Sequence, residues 1–168
     1  MDGHDIEGWG ITNPDESKVR RGFCQQAAAQ LLKRSGVKEP PVPVEEVAKH
    51  NGFEISVRDL PPGVDARLRT TDDGLIIEVA AGQARVRHRF SVAHELGHAT
   101  LQHRHGEGEV FEQEANLFAN ALLVPREWLR RDVKEGLRKL DQLAVRYHVS
   151  RDVIFIAAQR ARLLDRVT

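Results

Sequence analysis

The chain has 168 residues, of which 40% are hydrophobic and 30% charged, and its 25 Lys and Arg balance 25 Asp and Glu. That length and balance suit one compact globular domain and exclude a disordered tail, while zero net charge excludes a strong overall field for nucleic acid or an anionic membrane. Its one cysteine, Cys24, excludes an internal disulfide and fits a reducing compartment. No apolar run approaches the roughly 18 residues of a membrane span. The polar, acidic start from Met1 to Gly10 lacks a signal-peptide pattern, so the expectation is a cytoplasmic protein with no membrane partner. Charge is uneven along the chain: residues 126–168 hold 11 Lys and Arg against 6 Asp and Glu. A basic end of this kind marks either a solvated helix face or a contact for nucleic acid or an acidic partner.

Residues 1–15 show no apolar period and read as a flexible leader, with Trp9 as the one large aromatic group. Ser17 to Ser35 reads as a helix with Val19, Phe23, Ala27 and Leu31 on one face, and Gly36 is placed to stop it. Pro40, Pro41 and Pro43 stiffen the connection to a short helix from Val44 to His50. Phe53 to Val57 alternates as a strand does. Ala66 to Thr71 and Leu75 to Ala80 are two further strand candidates, with Asp72, Asp73 and Gly74 supplying hairpin chemistry between them. From Arg89 onward the period is helical, and helices are predicted near 89–103, 109–122, 126–135, 138–147 and 151–164. The implied class is α+β: a small twisted sheet of about three strands on a helical body.

The segment His94-Glu95-Leu96-Gly97-His98 carries the chemistry. Residues four apart lie on one helix face, so the two imidazoles can share one Zn²⁺. Glu95, one position after the first histidine, can curl toward the metal's open side and take a proton from water that the metal has acidified. In a chain of this composition the five-residue pattern arises by chance roughly 0.03 times, a false-positive rate that the apolar flanks Phe90, Val92, Ala93 and Leu101 lower further, because buried polar groups need a reason. A catalytic zinc also needs a third ligand. Glu112 and Glu114 both lie in the next helix and either can reach. Glu112 is the better choice, because Asn116 four residues on shares its face and can steady a ligand from behind; Glu114 is then expected to be an exposed acid. Selectivity depends on metal availability, so Mn²⁺ or Fe²⁺ stay open beside zinc.

These motifs, in order, resemble the ImmA/IrrE family of metallopeptidases. The similarity runs over roughly residues 20–165. It covers Pro-Pro-Val-Pro-Val-Glu-Glu-Val-Ala at 40–48, Arg89 through His98, Glu112-Gln113-Glu114-Ala115-Asn116-Leu117-Phe118-Ala119, Leu122 to Pro125, and Leu143-Ala144 through Val149-Ser150. The resemblance implies a minimal zincin-like domain over 16–135 and a helix-turn-helix-like segment over 136–168 packed on the same body. It implies Glu112 as third ligand, and a substrate that is a protein, namely a helix-turn-helix transcriptional repressor. Gln102 precedes His103 where the family often has a histidine, a departure that leaves no role for His103 by analogy.

Other residues have weaker chemistry. His103, His105 and Tyr147 are possible hydrogen-bond donors to a tetrahedral oxyanion, against ordinary roles as loop histidines and a core tyrosine. Arg85, Arg87, His88 and Arg89 form a basic group that reads as a solvated strand edge or a site for substrate carboxylates. Strand 75–79 is either a sheet edge that pairs with an extended substrate or an inner strand. Leu143 to Ala157, with a turn at His148–Ser150, resembles a helix-turn-helix pair; its apolar run Val153 to Ala158 favours packing over direct DNA binding. The two function classes are therefore a zinc-dependent endopeptidase, and a non-proteolytic metal-dependent stress or mobile-element regulator that acts by binding protein or DNA.

Overall fold

The computed structural model of the protein describes residues 18–103 and 108–168. The expected leader 1–15 with Trp9, and His105, lie outside the described residues. Chain order is α1 (Arg21–Arg34), α2 (Val44–His50), β1 (Phe53–Arg58), β2 (Ala66–Thr71), β3 (Gly74–Ala80), α3 (Arg85–Thr100), α4 (Glu109–Leu123), α5 (Arg126–Lys134), α6 (Leu140–Tyr147) and α7 (Arg151–Ala161). The class is α+β, as the patterning predicts.

In α1 the buried face is Cys24, Ala28, Leu31 and Leu32, one position round from the predicted stripe. Phe23 is half exposed, and its ring lies beneath the Arg20 guanidinium at 4.8 Å. Cys24 has no exposure, and burial first of all pushes its thiol up to about 11, so it packs as a small protonated group.

The sheet order is β1-β3-β2. β2 and β3 form the predicted antiparallel hairpin, Ala66 opposite Val79 through Thr71 opposite Gly74, and β1 lies parallel to β3 with Phe53 opposite Leu75. β3 is therefore the inner strand, with neighbours on both sides, and does not offer the free edge considered for 75–79. Inner position explains its branched, apolar sequence: Ile77 and Val79 are fully buried. Glu78 is buried as well, and bonds to Arg67 at 2.6 Å and Arg69 at 2.9 Å from β2. Its carboxyl falls below its ordinary range, chiefly through the Arg67 hydrogen bond.

Helix α3 begins four residues before the predicted start. The basic group is thus a helical turn and not a strand edge. Three of its members have separate partners: Arg87 pairs with Asp65 at 2.8 Å, His88 with Glu45 at 3.0 Å, and buried Arg89 donates to the carbonyls of Val42 and His148. A charge run without apolar period hides the helix start, because its order comes from these distant acceptors. Gly97 sets the packing of α3 on α4: a Cβ there would meet Phe118 Cδ1 at 3.0 Å and Ala115 at 3.3 Å. The two helices approach as closely as backbone allows.

The remaining helices close the core beneath this pair. Buried Asn120 of α4 donates to the Val153 carbonyl and accepts from Arg160, tying α4 to α7. Helices α6 and α7 join through His148, which is in the left-handed conformation, and Ser150 caps α7 by accepting from the Val153 amide. Val153, Ile154, Ala157, Ala158 and Ala161 of α7 are buried.

Candidate metal centre

Helix geometry puts His94 and His98 one turn apart on α3, and the close α3–α4 contact at Gly97 brings the first turns of α4 beside them. The Nε2 atoms of the two histidines lie 3.0 Å apart. Glu112 reaches both, with Oε2 3.2 Å from His94 Nε2 and Oε1 3.1 Å from His98 Nε2. These three donors lie within 4.8 Å of one another. The histidines are partly buried, while the Glu112 side chain is 60% exposed.

The donor set can be tested for metal by asking which tautomer each ring must hold. The Asn116 amide oxygen sits 2.9 Å from His94 Nδ1. An oxygen only accepts, so Nδ1 carries the proton and Nε2 presents a lone pair. His98 is fixed by a longer chain. Its Nδ1 meets His103 Nδ1 at 3.0 Å, and His103 Nε2 meets the Glu114 carboxylate at 2.9 Å. An ionised carboxylate only accepts, so His103 donates from Nε2 and accepts at Nδ1. His98 then donates from Nδ1 and also presents a lone pair at Nε2. Two lone pairs and a carboxylate facing one point 3 Å apart repel each other without a cation, and they are the donor set a divalent metal of the zinc class takes. Burial, then neighbouring His94, lowers His98 to about 4 against the pull of Glu112, so the ring is neutral at pH 7 as a ligand must be. The residues fit the metal.

Glu114 is the main correction here. It is fully buried and not an exposed acid. Arg20 grips it with Nε at 2.9 Å and Nη2 at 2.6 Å, and adds its own backbone N–H at 2.7 Å. Burial alone would raise this carboxyl, but Arg20 and His103 outweigh it and hold it at about 2. Arg20 was not singled out from the sequence. Ninety-four positions separate it from Glu114, and no local pattern carries such a pairing.

His103, considered above as an oxyanion donor, has both ring nitrogens engaged, one by His98 and one by Glu114, and its side chain is almost wholly buried. It faces the support of the site and not the substrate side. Tyr147 is likewise placed elsewhere: it is fully buried, and its hydroxyl donates to Asp132 at 2.8 Å. Burial and that bond push its pKa far above the usual range. A hydroxyl held to a buried carboxylate has no hydrogen left for an oxyanion.

Glu95 is half-buried and lines an open cleft of about 410 Å³ together with His94, Glu112 and Asn116. The same cleft is lined by Gly63 to Ala66, where the chain enters β2, and by Phe90 and Ser91.

A family model described as the IrrE N-terminal-like domain, a peptidase family, matches residues 48–158. That span holds His94, Glu95, His98, Glu112 and Asn116. No curated protein matches the chain. Among solved structures, a Mycobacterium tuberculosis transcriptional regulator superposes with a TM-score of 0.58 at 19% identity, over 83% of this chain and 46% of that one. At this identity the likeness concerns the fold, and this chain spans less than half of that protein's length.

Proposed function

The chain belongs to the peptidase family of the IrrE N-terminal-like domain, and from that premise we propose that it is a zinc-dependent endopeptidase acting on a regulatory protein, with His94, His98 and Glu112 as metal ligands and Glu95 as catalytic base. The observation that carries this reading is the convergence of those three donors at the edge of the cleft that Glu95 lines. Zinc held there supplies a Lewis acid that polarises a peptide carbonyl and makes water acidic enough to ionise near neutral pH; Mn²⁺ or Fe²⁺ would offer the same donors similar chemistry.

The protein's own residues do the rest. A Glu95 carboxylate oxygen takes a proton from the attacking water as that water's oxygen bonds to the carbonyl carbon. The same oxygen returns the proton to the amide nitrogen as the carbon–nitrogen bond breaks. Asn116 and the His103–Glu114 pair hold the two imidazoles in the tautomer that leaves Nε2 free to ligate. Among the described residues the outer side of β2 has no strand neighbour, and the chain leading into it lines the cleft. An extended peptide can pair with that edge by main-chain hydrogen bonds. This favours a flexible or unfolded segment as substrate. A transcriptional repressor is the substrate we favour, in keeping with the family resemblance and with a fold shared with a transcriptional regulator. No described helix is long and apolar enough to cross a membrane.

The alternative is a metal-dependent regulator that acts by binding, for which the basic segment 126–168 and the α6–α7 pair are the relevant features. Burial of much of α7 beneath the body weighs against direct DNA reading. Newly formed protein N-termini in host cells expressing wild type or Glu95→Gln separate the two readings. Termini that appear only with wild type, at equal metal content, support the peptidase and name its bond. Identical termini in both, under resting and stressed conditions, move the assignment to the binding regulator.

A further inference from the structure

A second cavity, of about 740 Å³, opens between α1 and the start of α5 and shares no lining residue with the metal cleft. Its walls are largely apolar, with Leu32, Val37 and Trp128 the bulkiest contributors. Into these walls run two guanidinium groups, Arg126 from the first turn of α5 and Arg160 from the last turn of α7. Among the described residues, the Nε–H of each is buried and meets no acceptor. A guanidinium has five donors and no acceptor, and leaving a buried charged donor unpaired costs more than leaving a neutral one unpaired.

The local charges deepen the imbalance. Lys33, Lys38, Arg126 and Arg160 line the cavity against a single acid, Glu127. Glu127 is mostly exposed and lies 3.5 Å from Arg130 on its own helix. Arg160 spends Nη1 on the Asn120 amide oxygen. Burial, and after it the repulsion of Arg126, pulls Arg160 down to about 10. Two like charges therefore lie close together at an apolar recess, each with a buried N–H left unpaired among the described residues. A planar guanidinium pair of this kind is matched by an oxyanion, which can accept from several N–H groups at once.

We propose that this cavity binds a small amphipathic organic anion, its carboxylate or phosphate head held by Arg126 and Arg160 and its apolar body laid against Leu32, Val37 and Trp128. The volume lies within the roughly 300–1,000 Å³ of small-molecule sites. The site is independent of the peptidase reading, because none of its lining residues lines the metal cleft.

Isothermal titration of the full-length, zinc-loaded protein tests it, with decanoate, decyl phosphate, decanol and inorganic phosphate as probes below their micelle concentrations. The expected result is one saturable site for decanoate, decyl phosphate or both, at least tenfold tighter than for decanol or inorganic phosphate; the better of the two anions identifies the head. Arg126→Gln and Trp128→Ala should each weaken that probe about tenfold, with bound zinc unchanged in both. Equal binding of decanol and the charged probes would overturn the proposal, as would binding of inorganic phosphate alone, or no binding of any probe to the wild type. So would undiminished affinity in an Arg126→Gln variant that melts like wild type.

Discussion

The two histidines of the proposed metal centre are steadied on opposite terms. His94 is steadied by Asn116, an exposed neutral amide four residues beyond Glu112. His98 is steadied from inside, through His103 and Glu114 to Arg20, by a chain whose middle members are almost wholly buried. A buried carboxylate costs several kcal/mol unless each oxygen is matched, and Glu114 is matched by Arg20 and His103. The exposed amide pays no such penalty, since water replaces whatever it loses. One side of the site is therefore built into the core of the fold, and the other is attached to its surface.

Removing the buried acid should break this contrast most severely. Glu114→Ala leaves Arg20 and His103 without their acceptor and should destabilise the protein by about 3–5 kcal/mol, toward the lower end because Arg20 keeps some water. Chemical denaturation checks this, and metal affinity should fall with stability. Next in size is the spacing between the two helices. Gly97→Ala forces a methyl against Phe118 and the Ala115 backbone, an overpacking worth about 1–3 kcal/mol. It should widen the gap between Glu112 and the histidines, seen as weaker zinc binding with a lower melting temperature. On the exposed side, Asn116→Ala should cost less than about 1 kcal/mol of stability yet weaken zinc binding by about 10–100-fold. A loss of affinity without a loss of stability is the signature that separates the two supports.

The smallest and most gradual effect concerns a second buried acid, far from the cleft. Burial would raise the Asp132 carboxyl, but hydrogen bonds from Arg146 and Tyr147 outweigh it and leave it lowered. A carboxyl lower in the folded than in the unfolded chain adds stability that is full above the unfolded value of about 3.9. That stability is lost as pH falls through the folded value. Asp132→Asn should flatten the acid limb of the stability curve relative to wild type, and thermal melts across that range check it.

The same contrast explains what the sequence makes legible. The placement of His94 and His98 on one helix face is readable because helix periodicity is local, and that of Glu112 and Asn116 follows by the same spacing one helix later. The hairpin about Asp73 is readable from its turn residues. Glu114 is not, since its burial depends on Arg20, 94 positions away, and a glutamate two residues from a ligand looks the same whether it faces water or a guanidinium. The inner position of β3 is hidden for a related reason. Alternation shows which face of a strand is buried, whereas strand order is set by the crossover that places β1 beside it. The start of α3 is masked because Arg87, His88 and Arg89 find their partners in Asp65, Glu45, Val42 and His148, all distant in sequence.

In the proposed centre, His94, His98 and Glu112 form one metal site whose base, Glu95, is not a ligand. Zinc titration of the metal-free protein against a chromophoric chelator, comparing wild type with His98→Ala and Glu95→Gln, tests it most directly. The account predicts one zinc per chain in wild type and in Glu95→Gln, with near-equal affinity, and loss of tight binding in His98→Ala. Absence of tight binding in wild type, or tight binding that survives His98→Ala, would contradict it.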